Sequence, residues 1–217
     1  MTQRGAFITV EGGEGVGKSS SLQVIETVLR GRGIDVTVTR EPGGTALGET
    51  VRSWILDGDH GELSAEVESL LMFAARAQHL EQIIRPAIDS GAWIVCDRFS
   101  DATFAYQGGG RGADPDFLRS LAAEIQGDLV PDLTILLDAP VEVGLARIAD
   151  RPHDHFEREA ESFFERVRRT YLDLAAEHSE RFRVVDASRA QAEVLASIER
   201  ELESFCDRFE VQMDREA

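Results

Sequence analysis

Eight residues, Gly12-Gly13-Glu14-Gly15-Val16-Gly17-Lys18-Ser19, follow closely on the apolar run Ala6-Phe7-Ile8-Thr9-Val10. A G-x-x-x-x-G-K-S loop in this position constrains the fold strongly, because it requires a strand before it and a helix opening behind it. The glycines let backbone N–H groups turn inward on phosphate oxygens, and Lys18 brings a positive charge to the β- and γ-phosphates. The Ser19 hydroxyl is placed to ligate magnesium. Gly12, Gly13, Glu14, Gly15, Val16, Gly17, Lys18, Ser19 and Ser20 therefore form the expected site for a nucleotide triphosphate, in preference to a glycine-rich turn that merely joins strand to helix.

The remaining pattern agrees with that start. Leu22, Ile25, Val28 and Leu29 recur at helical spacing within Ser20 to Arg30, and Gly31 with Gly33 ends the helix. Ile34 to Thr39 alternates and is rich in β-branched residues, so it reads as a strand running into the turn Arg40-Glu41-Pro42-Gly43-Gly44. Helices are expected from about Leu47 to Leu56 and from about Ala65 to Ser90. Ala92 to Cys96 and Leu133 to Leu137 are apolar runs closed by Asp97 and Asp138, as suits strands covered on both faces. Gln107 to Gly112 reads as a glycine-rich separator between two helical stretches, and Arg183 to Asp186 as a last strand. Strands alternating with helices predict an α/β fold with a parallel sheet, helices on both faces and ligands at the carboxyl ends of the strands. Ala149 to Glu159 is short, charged and Pro-containing, and is expected to form a flap; with Arg147 at its border the lid spans about 147–159.

The 217 residues suit one domain, 1–217, able to bury a core without a disulfide or metal. Cys96 and Cys206 lack metal-ligand spacing, no apolar run approaches the length that spans a bilayer, and no signal-peptide pattern opens the chain, so a cytoplasmic location is expected. The formal net charge of −17 argues against a nucleic acid polymer as partner.

Asp97 at the end of a buried strand is the expected partner of the loop in holding magnesium, with Ser19 as the second ligand. Arg98 follows at once. Arg40, Arg52, Arg76, Arg98, Arg111, Arg147 and Arg151 occupy candidate loop or helix positions, and some of them are expected to meet phosphate, which Arg grips in bidentate fashion.

Three further motifs accompany the loop in order: Thr39-Arg40-Glu41-Pro42-Gly43-Gly44-Thr45, Ala74-Ala75-Arg76-Ala77-Gln78-His79, and Asp97-Arg98-Phe99-Ser100-Asp101-Ala102-Thr103-Phe104-Ala105-Tyr106-Gln107-Gly108-Gly109-Gly110-Arg111. Together, from about Phe7 to Asp186, the chain resembles the bacterial thymidylate kinases, phosphate-loop nucleoside monophosphate kinases. The resemblance implies a magnesium-dependent enzyme of dTTP synthesis that moves the γ-phosphoryl of ATP to thymidine monophosphate and works as a homodimer. The Ala65 to Ser90 helix is a candidate for the dimer interface.

Carried over residue by residue, the resemblance implies catalytic roles for Lys18, Arg98, Arg147 and Arg151. It implies a monophosphate site made by Glu14, Pro42, Arg52, Met72, Phe73, Arg76, Arg98, Thr103, Tyr106 and Gln107. Within it Arg52 grips the phosphate, Arg76 bonds the base, Thr103 and Gln107 read its remaining edge, and Tyr106 packs beneath the deoxyribose. The family's base-stacking aromatic falls on Met72, with Phe73 beside it, and either is a candidate. In the flap, Asp154-His155-Phe156-Glu157 stands where relatives often read Asp-Arg-Phe-Glu, so His155 reads as an exposed substitution. Two rival readings are another nucleoside monophosphate kinase, and a nucleotide switch or ATPase in which Gln107 would position water.

Overall fold

The computed structural model describes residues 4–57, 63–150 and 154–216. Among the described residues, β1 (Phe7–Gly12), β2 (Val36–Arg40), β3 (Trp93–Asp97), β4 (Leu133–Asp138) and β5 (Phe182–Asp186) form one parallel sheet in the order β2-β3-β1-β4-β5. Helices α1 (Lys18–Gly31), α2 (Ala46–Asp57), α3 (Ala65–His79), α4 (Arg85–Asp89), α5 (Ser100–Thr103), α6 (Pro115–Gln126), α7 (Val141–Ile148), α8 (Glu161–Glu177) and α9 (Gln191–Glu216) surround it. The expected parallel sheet with helices on both faces is what forms, a phosphate-loop fold.

Strand alternation divides the core. Ile8 and Val10 point to the face covered by Ile25 and Leu29 of α1 and by Val194, Ile198 and Leu202 of α9. Phe7 points to the opposite face, against Leu80, Ile84, Ile88 and Phe99. Since both faces are covered, β1 is buried at every position, which is why its sequence is almost continuously apolar. Thr9, bonded to Thr134, and Glu11 are the exceptions, and the alternation turns Glu11 toward Tyr171 of α8.

β1 lies between β3 and β4, with Val10 in register with Asp97 and Gly12 with Leu137. This pairing fixes the site, because chain leaving β1 and β3 rises side by side at the carboxyl edge where the strand order reverses.

Two expected boundaries differ. The Ala65 to Ser90 helix winds as a π-helix over Leu80–Ile84 before α4. Pro86, in the first turn of α4, cannot donate a backbone hydrogen bond, and the widened turn accommodates the missing bond within a continuous rod. Gln107 to Gly110 is not a separator, because Phe104–Gly110 continues α5 as a π-helix. The glycines serve contact with α8 there: a side chain on Gly109 would overlap Thr170, and one on Gly110 would meet the Phe163 ring. Arg166 of α8 in turn donates to the carbonyls of Gly109 and Gly110, at 3.2 and 2.8 Å.

Candidate functional site

The loop between β1 and α1 has its shape from glycine. Gly15 has φ +67° and Gly17 φ +94°, a region costly for a side chain. Gly15 also abuts Gly144 of α7 so closely that a Cβ on either would strike the other's loop or helix backbone. Lys18 is the sole lysine of the chain. Its ammonium donates to the carbonyls of Gly13 and Gly12 at 2.7 and 3.3 Å, held within the loop, and burial and then Arg98 keep its pKa below the usual lysine range.

A cavity of about 410 Å³ opens over this loop. Glu14 to Ser20 line it together with Pro42, Arg52, Met72, Arg98, Tyr106 and Gln107. Residues far apart in sequence thus converge on one space, at the carboxyl edge of the sheet.

Arg98 is the hub. Its backbone is held at φ +69°, unusual for a residue with a side chain, by bonds on either side: its own N–H to Val10 O and the Phe99 N–H to Glu11 Oε1. Its guanidinium donates to Gly12 O at 2.8 Å, Tyr171 Oη at 3.1 Å, Glu14 Oε1 at 2.8 Å and Tyr106 Oη at 3.0 Å, and lies 4.7 Å from the Tyr106 ring centre. The Tyr106 hydroxyl donates to Glu14 Oε1 at 2.7 Å, and burial raises its pKa well above the ordinary value.

Asp97 Oδ1 is buried without a hydrogen-bond partner, and Asp97 and Ser19 line the same cavity. An anionic oxygen orphaned beside a serine hydroxyl at a phosphate loop fits a divalent cation that takes its other ligands from phosphate and water. Among the described residues no group of three or more acidic, histidine or cysteine side chains is arranged to hold a metal ion. Arg52 donates to Pro42 O at 3.2 Å, and burial and then Arg40 lower its pKa.

Arg76 is wholly buried beneath the cavity. It donates to Glu41 Oε2 at 2.7 Å and to Thr103 Oγ1 at 2.9 Å, lies over the rings of Phe73 and Phe99, and keeps Nη1 without a partner. Thr103 accordingly faces Arg76 and does not line the cavity, whereas Gln107 does. Of the two stacking candidates, Met72 lines the cavity, while Phe73 turns into a cluster with Ala113 and Leu118.

The flap region corrects several expectations. Arg147 sits in the last turn of α7, at the border of the expected flap, and donates to Ala187 O at 2.9 Å beside Gly15. Arg151 lies outside the described residues. His155 is half-buried, not an exposed substitution: its N–H bonds Leu56 O at 2.9 Å and its Nε2 meets Arg111 at 3.1 Å. Phe156 lines the cavity and packs edge-on against Tyr106. Two arginines expected at phosphate are engaged elsewhere, Arg40 with Glu49 on the surface and Arg111 with Glu68 and Glu159.

Sequence reasoning missed Glu11, Glu41, Glu68, Gly144 and Tyr171. Glu11 accepts from the Phe99 N–H at 2.7 Å and the Tyr171 hydroxyl at 2.8 Å, and burial, then Asp101, push its carboxyl up to about 8. A charged residue inside an apolar strand was the available signal. Glu41 also bonds His79 Nδ1 at 2.9 Å, and its motif was visible although its partner was not. A second cavity, lined by Gly15, Gly17, Arg147, Ala187, Arg189 and Gln191, adjoins the loop and had no sequence signature.

The family described as thymidylate kinase matches residues 10–198. The chain is 52% identical over 204 residues to a thymidylate kinase of Nitrosomonas europaea, covering 94% of each chain. It is 50% identical over 204 residues to that of Ectopseudomonas mendocina, covering 94% of this chain and 97% of the relative. Its fold is similar to the crystal structure of thymidylate kinase from Ehrlichia chaffeensis, with a TM-score of 0.74 at 30% identity, covering 92% of this chain and 99% of that one.

Proposed function

The chain belongs to the thymidylate kinase family, and from that membership we infer that it transfers the γ-phosphoryl group of ATP to thymidine monophosphate, giving thymidine diphosphate and ADP for dTTP synthesis. The observation that carries this reading is the single cavity lined both by the phosphate loop and by Met72, Tyr106 and Gln107, with Arg98 facing it.

In this reading Gly12 to Ser20 receive the ATP phosphates, and the neighbouring cavity beside Arg147 and Arg189 receives its nucleoside end. Lys18 and Arg98 neutralise charge on the transferring group, with Arg147 and Arg151 as its further cations. Arg52 and Pro42 hold the acceptor phosphate side. Glu14 and Tyr106 meet the sugar, whose 2′ position the tyrosine crowds, and Met72 covers the base. Arg76 Nη1 and Gln107 Oε1 supply the donor and acceptor that a thymine edge completes, with Thr103 fixing Arg76 and Phe73 backing it. Ser19 and Asp97 would hold magnesium, which would supply neutralisation of phosphate charge. Residues 147–159 act as the lid of a single domain, 1–217, excluding water so that ATP is transferred and not hydrolysed.

The protein works as a cytoplasmic homodimer. Leu47 and Trp54 lie two turns apart on α2, Val67 and Leu70 share a face of α3, and all four are more than two-fifths exposed on helices that pack together. Among the described residues no helix is long and apolar enough to cross a membrane.

The test is ADP release from ATP and magnesium with thymidine, deoxyuridine, deoxycytidine, adenosine or guanosine monophosphate, and with no acceptor. Stimulation chiefly by thymidine monophosphate is expected. A different preferred acceptor would overturn the base assignments, and release indifferent to acceptor would make the protein an ATPase or switch.

A further inference from the structure

Gln107 is the one described side chain that lines the cavity while leaving a buried amide oxygen without a partner. A primary amide has two faces of opposite character: Oε1 accepts and Nε2 donates. Whichever is turned to the cavity decides whether a base edge is met by an acceptor or by a donor. In this protein that choice is made by Glu68 on α3. Its carboxylate is nearly wholly buried and accepts from Gln107 Nε2 at 3.2 Å. An ionised carboxylate only accepts, so it captures the NH₂ group and leaves Oε1 for the ligand.

Glu68 is itself fixed from behind. Arg111 approaches it with Nε at 3.2 Å from Oε1 and 3.4 Å from Oε2. Arg111 is clamped by Glu159 and by the rings of Phe156 and Phe163, whose centres lie 5.3 and 5.1 Å away. The arginine holds the buried carboxylate in place. This explains the fate of the arginine that closes the glycine-rich motif: it serves the base end of the cavity from behind and not a phosphate.

We propose that Glu68, held by Arg111, is a specificity-determining positioning residue that locks the Gln107 amide with its oxygen toward the acceptor base. The proposal rests on the thymidylate reading above. Thymine presents an N3–H donor beside the O4 acceptor, whereas cytosine presents an N3 acceptor beside an amino donor. A fixed Oε1 pairs with the first and faces a lone pair of the second, and a base that leaves buried groups unpaired is rejected strongly. Without the lock the amide turns over at little cost and serves either base.

Glu68→Gln keeps the shape but can donate as well as accept. Steady-state phosphorylation of thymidine and deoxycytidine monophosphates should show the kcat/KM ratio falling at least about tenfold, carried by KM for the thymidine substrate with kcat largely held. In a Gln107→Leu background the same substitution should leave that ratio unchanged, because Glu68 acts through the amide. A structural role alone would lower activity toward both acceptors together, so an unchanged ratio in Glu68→Gln, or additive effects in the double variant, overturns the proposal. Should Glu68→Gln fail to fold by circular dichroism, Arg111→Gln carries the same comparison, with a smaller change of the same sign expected. If the wild-type protein shows no preference for thymidine monophosphate, it is the underlying reading that falls.

Discussion

Arg98 Nη2 and the Tyr106 hydroxyl both donate to one oxygen, Glu14 Oε1, at 2.8 and 2.7 Å. The guanidinium proposed above to meet the reacting phosphates is thus tied to a carboxylate that the tyrosine also holds. Replacing Arg98 with Ala should lower kcat by roughly 10³-fold or more while the far-ultraviolet circular dichroism stays native, since a positioned arginine contributes about 10³ to 10⁵ in phosphoryl transfer. Turnover near that of the wild type would remove Arg98 from its assigned role.

Tyr106→Phe separates plate from hydroxyl. The ring keeps its edge contacts with Phe156, Phe163 and Tyr171, so acceptor binding should change little. Loss of the bond that steadies Glu14 should lower kcat by about tenfold, the worth of one buried hydrogen bond. Equal losses in kcat and in acceptor affinity on titration calorimetry would show that the ring and not the hydroxyl had been disturbed.

Gly15→Ala combines a left-handed backbone with a collision against Gly144. It should destabilise the protein by about 1–3 kcal/mol and abolish the rise in melting temperature that ATP produces. Gly144→Ala, on a helix remote in sequence, should weaken ATP stabilisation in the same way, because its side chain would press on the Glu14 carbonyl. Undiminished thermal stabilisation by ATP in both variants would refute this mutual packing.

Glu11 gives a pH dependence of definite sign. Its folded-state pKa is pushed up from 4.5 to about 8, first by burial and then by Asp101. Between these values the unfolded chain has released this proton and the folded protein has kept it. Stability contributed by Glu11 is therefore fully present below about pH 4.5 and is lost as pH rises to about 8. Glu11→Gln cannot titrate, so its denaturant midpoint should fall less between pH 5 and pH 8 than that of the wild type. Parallel pH profiles for the two proteins would show that Glu11 is already ionised in the folded state.

What was legible in the sequence was whatever local pattern specifies. The loop, the strand order of burial and the Asp97-Arg98 step come from runs of adjacent residues, and the structure places each at the carboxyl edge. Gln107 to Gly112 reads as a separator, yet its first four residues stay helical because Gly109 and Gly110 answer to α8, more than fifty residues later, and not to a turn. Arg111 is a phosphate candidate in the sequence for a related reason: an arginine after glycines suggests phosphate until Glu68 and Glu159 are brought to it by folding. Glu11, Glu41 and Glu68 are each defined by a partner far along the chain, so their types were visible and their tasks were not.

The scarcity of lysine has a chemical consequence. With 22 of the 23 basic side chains being arginine, an acylating or reductive-alkylating reagent finds one side-chain amine, and it sits in the loop between Gly17 and Ser19. The lowered affinity of that amine for protons leaves a larger share of it as the reactive free base near neutral pH. If the loop takes nucleotide as proposed, a single added mass on the fragment carrying Lys18 should diminish with occupancy, so the protein reports its own binding without any engineered label.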